Sequence, residues 1–438
     1  MEREEEQTRK RHKCSNGEQN ALSVDRLSDL PDPLICHILS FLPTKSSVRT
    51  SVLGQRWRHL WTYVPELDFS RANEDFIDKV MSLHRIPDII TFRLKELMAE
   101  CNGNQIERWI SFAIERNVQN LELYYPPKNV LPQCLFTCQT LVDLRIYMCG
   151  TIIVGGTVFL PRLKKLSLIH VRFDADESLP HLLSGCPVLE DLVVESLCLV
   201  YFNISSPTLK SLCFKSDGYR FNNIDDRLAI NTPALRYLKI DDCLSNHIET
   251  GPLTSLLEAD IKLHNHKKKQ NDLVYSRSAL EFIDSLRHTK CLTLNLAFNA
   301  KIVNSVFSSS AISFHNLNKL ELFADFCVLS KFLENADNLE ILIYWEISNG
   351  STRQRMEPPE QVPTCVSSRL RAVKLIHISG EEKELEMIGY LMRNGKVLER
   401  MEIAYARFLD FRKTDHMHRE ISQFERGSKA CEVAFSTW

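Results

Sequence analysis

Pro161–Leu168 reads PRLKKLSL, Cys186–Val194 reads CPVLEDLVV, Ser206–Phe214 reads SPTLKSLCF and Thr232–Ile240 reads TPALRYLKI. Each holds an apolar residue, two others, an apolar residue, one other and an apolar residue: Leu163-Leu166-Leu168, Leu189-Leu192-Val194, Leu209-Leu212-Phe214 and Leu235-Leu238-Ile240. The second and third apolar sites alternate with the period of a strand. The same pattern stands at Leu141-Leu144-Ile146 and at Leu317-Leu320-Leu322, mostly at intervals of about 20 to 28 residues. Such a return leaves room for one strand and one short helix or turn per unit. No unit can bury its apolar face alone, so the units stack into a curved solenoid with parallel strands on the concave side. The fold class expected is therefore α/β, with repeats over residues 118–348.

Ahead of the repeats, Leu27–Trp61 reads LSDLPDPLICHILSFLPTKSSVRTSVLGQRWRHLW. Asp32 and Pro33 suit the N-cap and first position of a helix. Leu34, Ile35, Ile38, Leu39 and Leu42 then form one wide apolar stripe, which Pro43 stops. A second helix is expected over Ser46–Leu53, broken by Gly54, and a third carries Trp57, Leu60 and Trp61 at i, i+3 and i+4. Three short helices with this much Leu, Ile and Trp must pack on the rest of the chain or on another protein. Little contribution to the repeat core is expected from them.

LPDPLICHILSFLP, the Val-Arg-Thr-Ser-Val-Leu segment and RWRHLW resemble the F-box; Gly54-Gln55 stands where plant members often carry Ser-Lys. The proline- or cysteine-led strands resemble irregular plant leucine-rich repeats. After a polar, proline-bearing stretch at Ser348–Thr364, PPEQVPTCVSSRLRAVKLIHISGEEKELEMIGYLMRNGKVLERMEI and the closing ERGSKACEVAFS resemble the FBD domain that ends many plant F-box proteins. In that stretch Leu370, Val373 and Leu375 predict a strand; Leu385, Ile388, Leu391 and Met392 line a helix that Gly395 can end in the left-handed conformation; and Leu398, Met401 and Ile403 repeat the strand pattern. The expected organisation is a disordered tail (1–24), an F-box (25–70), a helical cap (71–117), repeats (118–348), and a linker with an FBD unit closing the solenoid (349–438).

The resemblance implies that the helical trio binds a Skp-type adaptor and, through it, cullin and RING subunits of a ubiquitin ligase, while the repeats bind a protein substrate. Carried over position by position, the adaptor contacts are Leu30, Pro31, Leu34, Ile35, Ile38, Leu39, Leu42, Pro43 and Trp57, some of which pack the trio internally. A stand-alone repeat scaffold, never coupled to ubiquitination, is the alternative. For the substrate, the residue after the third apolar site of each unit forms a column: Tyr124, Tyr147, Ile169, Glu195, Lys215, Asp241, Phe323 and Trp345. Tyr124, Tyr147, Phe323 and Trp345 are the expected anchors, with Arg145 and Lys165 on a neighbouring column. A one-residue slip of the strand LEILIYW would instead turn Trp345 inward and Tyr344 outward.

Composition narrows the other classes. Among 438 residues the formal net charge is -2, which gives no bulk attraction to nucleic acid or anionic lipid. A helix-turn-helix reader is disfavoured, because the last helix of the trio spends Trp57, Leu60 and Trp61 on packing. The charged start, MEREEEQTRKRHK, lacks the apolar core of a secretory signal, and no apolar run approaches a membrane span. The 14 cysteines contain no C-x-x-C pair and read as reduced. An intracellular protein follows, cytoplasmic or nuclear, the basic run Arg9–Lys13 being compatible with nuclear import. Neither cofactor nor metal is expected: His264 with His266 and His416 with His418 read as solvated pairs. No phosphate-binding loop, zinc-protease or serine-nucleophile motif is present, and Cys14, Cys36 and Cys327 have no visible activating partner, so no enzyme is expected.

Overall fold

The computed structural model describes residue 27 and residues 29–437, apart from 97–102, 125–130, 148–150, 197–200, 217–226, 243–246, 264–272, 297–311, 325, 347–360 and 407–408. The tail, most of the Lys262–Asp272 loop with His264 and His266, most of the Ser348–Thr364 linker, and Cys14 fall outside the described residues, as does the side chain of Cys327.

The strands, in chain order, are β1 (Glu66–Asp68), β2 (Thr91–Leu94), β3 (Asn120–Tyr124), β4 (Asp143–Tyr147), β5 (Thr151–Ile152), β6 (Lys165–Phe173), β7 (Asp191–Ser196), β8 (Tyr201–Ser205), β9 (Ser211–Ser216), β10 (Arg227–Asn231), β11 (Tyr237–Asp242), β12 (His247–Thr250), β13 (Glu258–Leu263), β14 (Cys291–Asn295), β15 (Lys319–Ala324), β16 (Ile341–Glu346), β17 (Ala372–Ile378), β18 (Arg400–Tyr405) and β19 (Glu432–Thr437). They build a 16-stranded sheet in the order β1-β2-β3-β4-β6-β7-β9-β11-β13-β14-β15-β16-β17-β18-β19, with β5 beside β6. Neighbours pair in parallel, as stacked repeats require. The first, second and third apolar sites of each quoted unit are buried in one continuous core. The next residue along each strand is half-exposed on the other face, which is open.

Behind the sheet lie helices or, where the linking segments are short and rich in Ser, Pro and Thr, further strands: β8, β10 and β12 form a second parallel sheet. Phe202, Ile204, Leu228, Ile230 and Ile248 from these strands close the core from behind.

The trio is tighter than expected. Helix α1 spans Asp32–Ser40 with Pro31, not Asp32, as its N-cap. The Asp32 carboxylate, one position too far along to cap, instead accepts from Arg56 Nε and Nη2 at 2.8 and 2.6 Å. Helix α2 spans Thr44–Arg49 and continues as a 3₁₀ turn over Thr50–Leu53. The third element is two 3₁₀ turns, Arg56–Arg58 and Leu60–Tyr63, so the tryptophan spacing gives compact turns rather than an α-helix.

Residues 71–117 contain the two expected helices, α3 (Glu74–Leu83), whose Asn73 side chain accepts from Phe76 N, and α4 (Gly103–Glu115). They are not a purely helical cap, however. β1 and β2 lie in front of them, so the parallel sheet begins at Glu66, within the segment assigned to the F-box. Trp109, fully buried, donates from Nε1 to Asp78 Oδ1 at 2.7 Å and locks α4 to α3.

The trio, a handle at the start of the sheet, is not separate from the repeats. Trp61 belongs to the main core beside Leu67 and Phe69, and Val48 packs against that core. Asp68 N donates to Thr44 Oγ1 at 2.7 Å.

At the other end β17 and β18 continue the sheet after β16, and β19 forms its last strand. The helix Glu382–Asn394 buries Ile388, Leu391 and Met392. Gly395 ends it at φ -77°, not in the left-handed region. A side chain is excluded there by proximity, because a Cβ would sit 2.7 Å from the Leu391 carbonyl oxygen. The Glu384 carboxylate, fully buried, accepts from the backbone N–H groups of Ser379, Gly380 and Glu381 at 3.0, 2.6 and 2.8 Å. Lys383 Nζ reaches Glu346 Oε1 of β16 at 2.7 Å and ties this unit to the repeats.

Candidate functional site

Two surfaces carry side chains that the fold does not consume. The first is the outward side of the trio. Ile35, Leu39, Trp57, Leu60 and Val64 form a small core of their own, with Leu30 and Cys36 packed against it. Of the nine carried-over positions, Ile35 (0% exposed), Leu39 (1%) and Trp57 (6%) therefore face inward and offer no docking surface. The reason is geometric: a stripe of five apolar residues is wider than one contact, so its middle packs the trio and its flank faces solvent. Leu34 (50%), Ile38 (41%) and Leu42 (37%) stay exposed, with Pro31 and Pro43. Phe41, 75% exposed, extends the line Leu34-Ile38 at the next helical step. Val52 and Leu53, at 87% and 66%, project from the 3₁₀ turn. Phe41, Val52 and Leu53 were not singled out in the sequence, although Phe41 lies seven residues after Leu34 on the same face.

The second surface is the open face of the sheet. Strand register joins the predicted column without a break: Tyr124, Tyr147, Ile169, Glu195, Lys215 and Asp241 are successive partners. It continues through Lys262 and Asn295, which the sequence reading did not place, to Phe323, Trp345 and Ile376. Lys262 belongs to β13, which runs to Leu263. Tyr344 is fully buried and donates to the Ala324 carbonyl at 3.1 Å, so LEILIYW has not slipped and Trp345 stands on the open side. Phe323 and Trp345 stack with ring centroids 4.7 Å apart and planes 13° from parallel. Trp345 Nε1 donates to Glu321 Oε1 at 3.0 Å, which fixes the indole. Tyr124 and Tyr147 approach to 6.4 Å at the other end.

Arg145 and Lys165 do not share a column. Arg145 is the register partner of Ser167, and Lys165 that of Asp143, because the strands align at their first residues. Both cations are already engaged: Arg145 Nη2 lies 2.9 Å from Asp143 Oδ2, and Lys165 Nζ 3.8 Å from Asp191 Oδ2. The hydrogen bonds that Arg145 donates to Asp143 raise its pKa. Arg93, Asn120, Glu122, Asp143 and Arg145 line a cavity of about 200 Å³ on this face. Further along, Lys239 lies 2.8 Å from Asp260 and Lys374 2.9 Å from Glu402. The bond to Asp260 raises the Lys239 pKa, and the bond from Lys374 lowers that of Glu402.

Burial pushes the Cys186 and Cys365 thiols up to about 12, and burial and then Asp32 raise Cys36. His418 corrects the reading of a solvated pair, since it turns into an aromatic cluster 4.0 Å from the Phe435 centroid, while His416 stays exposed. Among the described residues no group of His, Cys, Asp and Glu could hold a metal, and no helix is long and apolar enough to cross a membrane.

Three family models match the chain: the F-box domain at residues 27–68, the LRR repeats of "FBD-associated F-box protein At5g56370" at 106–256, and FBD at 357–403. Among Arabidopsis thaliana proteins, the "Putative FBD-associated F-box protein At5g56440" is 31% identical, covering 94% of this chain and 100% of its own length. The "F-box/LRR-repeat protein At4g14096" is 33% identical over 87% of this chain and 88% of its own. The "Putative F-box/FBD/LRR-repeat protein At3g59240" is 32% identical over 87% and 84%. With the helical trio, the parallel repeat sheet and the closing unit all in place, the chain belongs to the F-box/FBD/LRR-repeat family.

Proposed function

We propose that this chain is the substrate-binding subunit of a Skp–cullin–F-box ubiquitin ligase, non-enzymatic itself, working in the cytoplasm or nucleus. F-box proteins are generally adaptors of this kind. The observation that carries the reading is the exposed apolar line Leu34-Ile38-Phe41, with Val52 and Leu53. These side chains do not serve the trio's own core, and an apolar patch of this sort on a small helical unit marks a protein contact. Docking there would bring the cullin and RING subunits, while the open face of the repeats holds a protein to be ubiquitinated. Titration of the full chain with a purified Skp-type adaptor tests the first half. Saturable binding that Ile38→Glu abolishes without lowering the melting temperature supports it. A folded chain that does not bind the adaptor would leave a repeat scaffold uncoupled from ubiquitination.

A further inference from the structure

We infer that the open face takes an extended, unphosphorylated peptide segment bearing two large apolar side chains, one seated at Tyr124-Tyr147-Ile169 and the other at Phe323-Trp345. This rests on reading that face as the substrate surface and adds what chemistry the substrate must have.

Three observations carry it. The column is apolar at its two ends and polar between them, in one unbroken register. The Phe323-Trp345 end is pre-formed: the two rings stack and the indole is tethered to Glu321, so little ordering is left there for binding to impose; at the other end Tyr124 and Tyr147 lie 6.4 Å apart. From Ile169 on β6 to Phe323 on β15 the path crosses β7, β9, β11, β13 and β14. Six strand spacings make about 29 Å, which an extended chain spans in roughly nine residues. One compact side chain cannot touch both ends, and an extended segment can.

Charge decides against a phosphate. A phosphopeptide reader offers clustered arginines and lysines free to fork onto the phosphate oxygens. Here Arg93 and Lys95 lie 3.3 and 2.6 Å from Glu122, Arg145 pairs with Asp143, Lys239 with Asp260 and Lys374 with Glu402. Lys215 stands in register between Glu195 and Asp241, so a phosphate over it would meet two carboxylates.

The test is a displayed library of random peptides of about 14 residues, long enough for two anchors roughly nine apart, selected on the immobilised full chain. The expected winners carry two large apolar residues at that separation and few acidic ones. For a purified winner, Tyr147→Ala and Phe323→Ala should each weaken binding by roughly tenfold or more, as loss of one buried anchor contact implies. A phosphoserine placed between the anchors should weaken it further. If Phe323→Ala lowers the melting temperature, Phe323→Leu, which fills the site without a flat ring, is read instead with the same direction. Winners with one anchor, acidic winners, stronger binding on phosphorylation, indifference to both variants, or no winner at all would overturn the inference. Adaptor titration on the same preparation reports separately on the ligase reading, so the two can fail independently.

Discussion

The double variant Phe41→Ala, Val52→Ala separates docking from folding on the helical trio. Phe41 and Val52 are 75% and 87% exposed, so most of their surface still has to leave water when a partner covers it. Fully burying such a side chain stabilises by about 1.5 to 3 kcal/mol, and the two together should contribute about 3 kcal/mol to docking. The dissociation constant for a Skp-type adaptor, measured by titration calorimetry, should rise by roughly a hundredfold or more. Stability should move by no more than about 0.5 kcal/mol, because neither side chain is buried in the folded chain. Ile35→Ala is the necessary contrast. Ile35 is fully buried among Leu39, Trp57, Leu60 and Val64. Its truncation should cost about 2 to 5 kcal/mol of folding and weaken the adaptor only by melting the trio. An unchanged dissociation constant in a double variant with an unchanged melting curve would refute the assignment of this patch.

Gly54 has φ 168° and ψ 172°, extended values open to any residue, and a Cβ there would meet only Trp57 Cδ1 at 4.0 Å. Gly54→Ser should therefore stabilise by about 0.4 to 1 kcal/mol through the unfolded chain, seen as a higher urea midpoint. Trp61→Ala should cost about 3 kcal/mol of repeat stability in chemical denaturation; no loss would mean that the handle hangs free of the solenoid. Burial, followed by the neighbouring Glu346, pushes the Glu384 carboxyl up to about 6 from 4.5. The folded chain then holds a proton that the unfolded chain releases, so this stabilisation is complete below pH 4.5 and is lost as pH rises through about 6, up to about 2 kcal/mol. Glu384→Gln should flatten the dependence of the C-terminal unit's stability on pH between these values, read by hydrogen exchange across the pH series.

Much of the architecture was legible because most strands place two apolar core residues at a period of two, and that signal survives a variable connection. It failed where the signal was thin. β1 is three residues long and β2 is TFRL, too short for alternation to register, so their helices alone were seen and a cap was inferred. β13 puts Ala259 at a core site and β14 follows a long polar insertion, which hid Lys262 and Asn295 from the column. On the trio the apolar stripe was legible but its sides were not. A helix with five apolar residues has two candidate inner faces, and only the positions of Trp57, Leu60 and Val64 choose Ile35 and Leu39. The pairing of Arg145 with Asp143 is local and could have been read from the sequence, since residues two apart on a strand share a face.

How the two surfaces relate follows from the joint between them. Trp61 is part of the repeat core, Thr44 Oγ1 caps the Asp68 N–H, and Arg85 N donates to the Thr62 carbonyl at 3.0 Å. His84, buried, lies 2.9 Å through Nε2 from the Val64 carbonyl, and burial lowers its pKa, so the neutral ring sits at the seam. Ile90 N donates to Pro65 O at 2.9 Å, which continues the seam into β2. The Thr44, Thr62 and Val64 bonds cross between the trio and the first repeat units, and with the Pro65 bond they leave no free linker between Tyr63 and β1. A flexible connection would spread a ligand on the open face over many positions relative to anything docked on the trio, with an effective concentration that falls as the tether lengthens. A packed seam gives it one position, set by the stacking of the repeats. The distance from the trio to each anchor site is then fixed by strand count: Tyr124 stands two strands from β1, Phe323 and Trp345 near the far end of the sheet. A segment held at both sites is thereby oriented as well as bound, with one end directed toward the handle and the other toward the C-terminal unit.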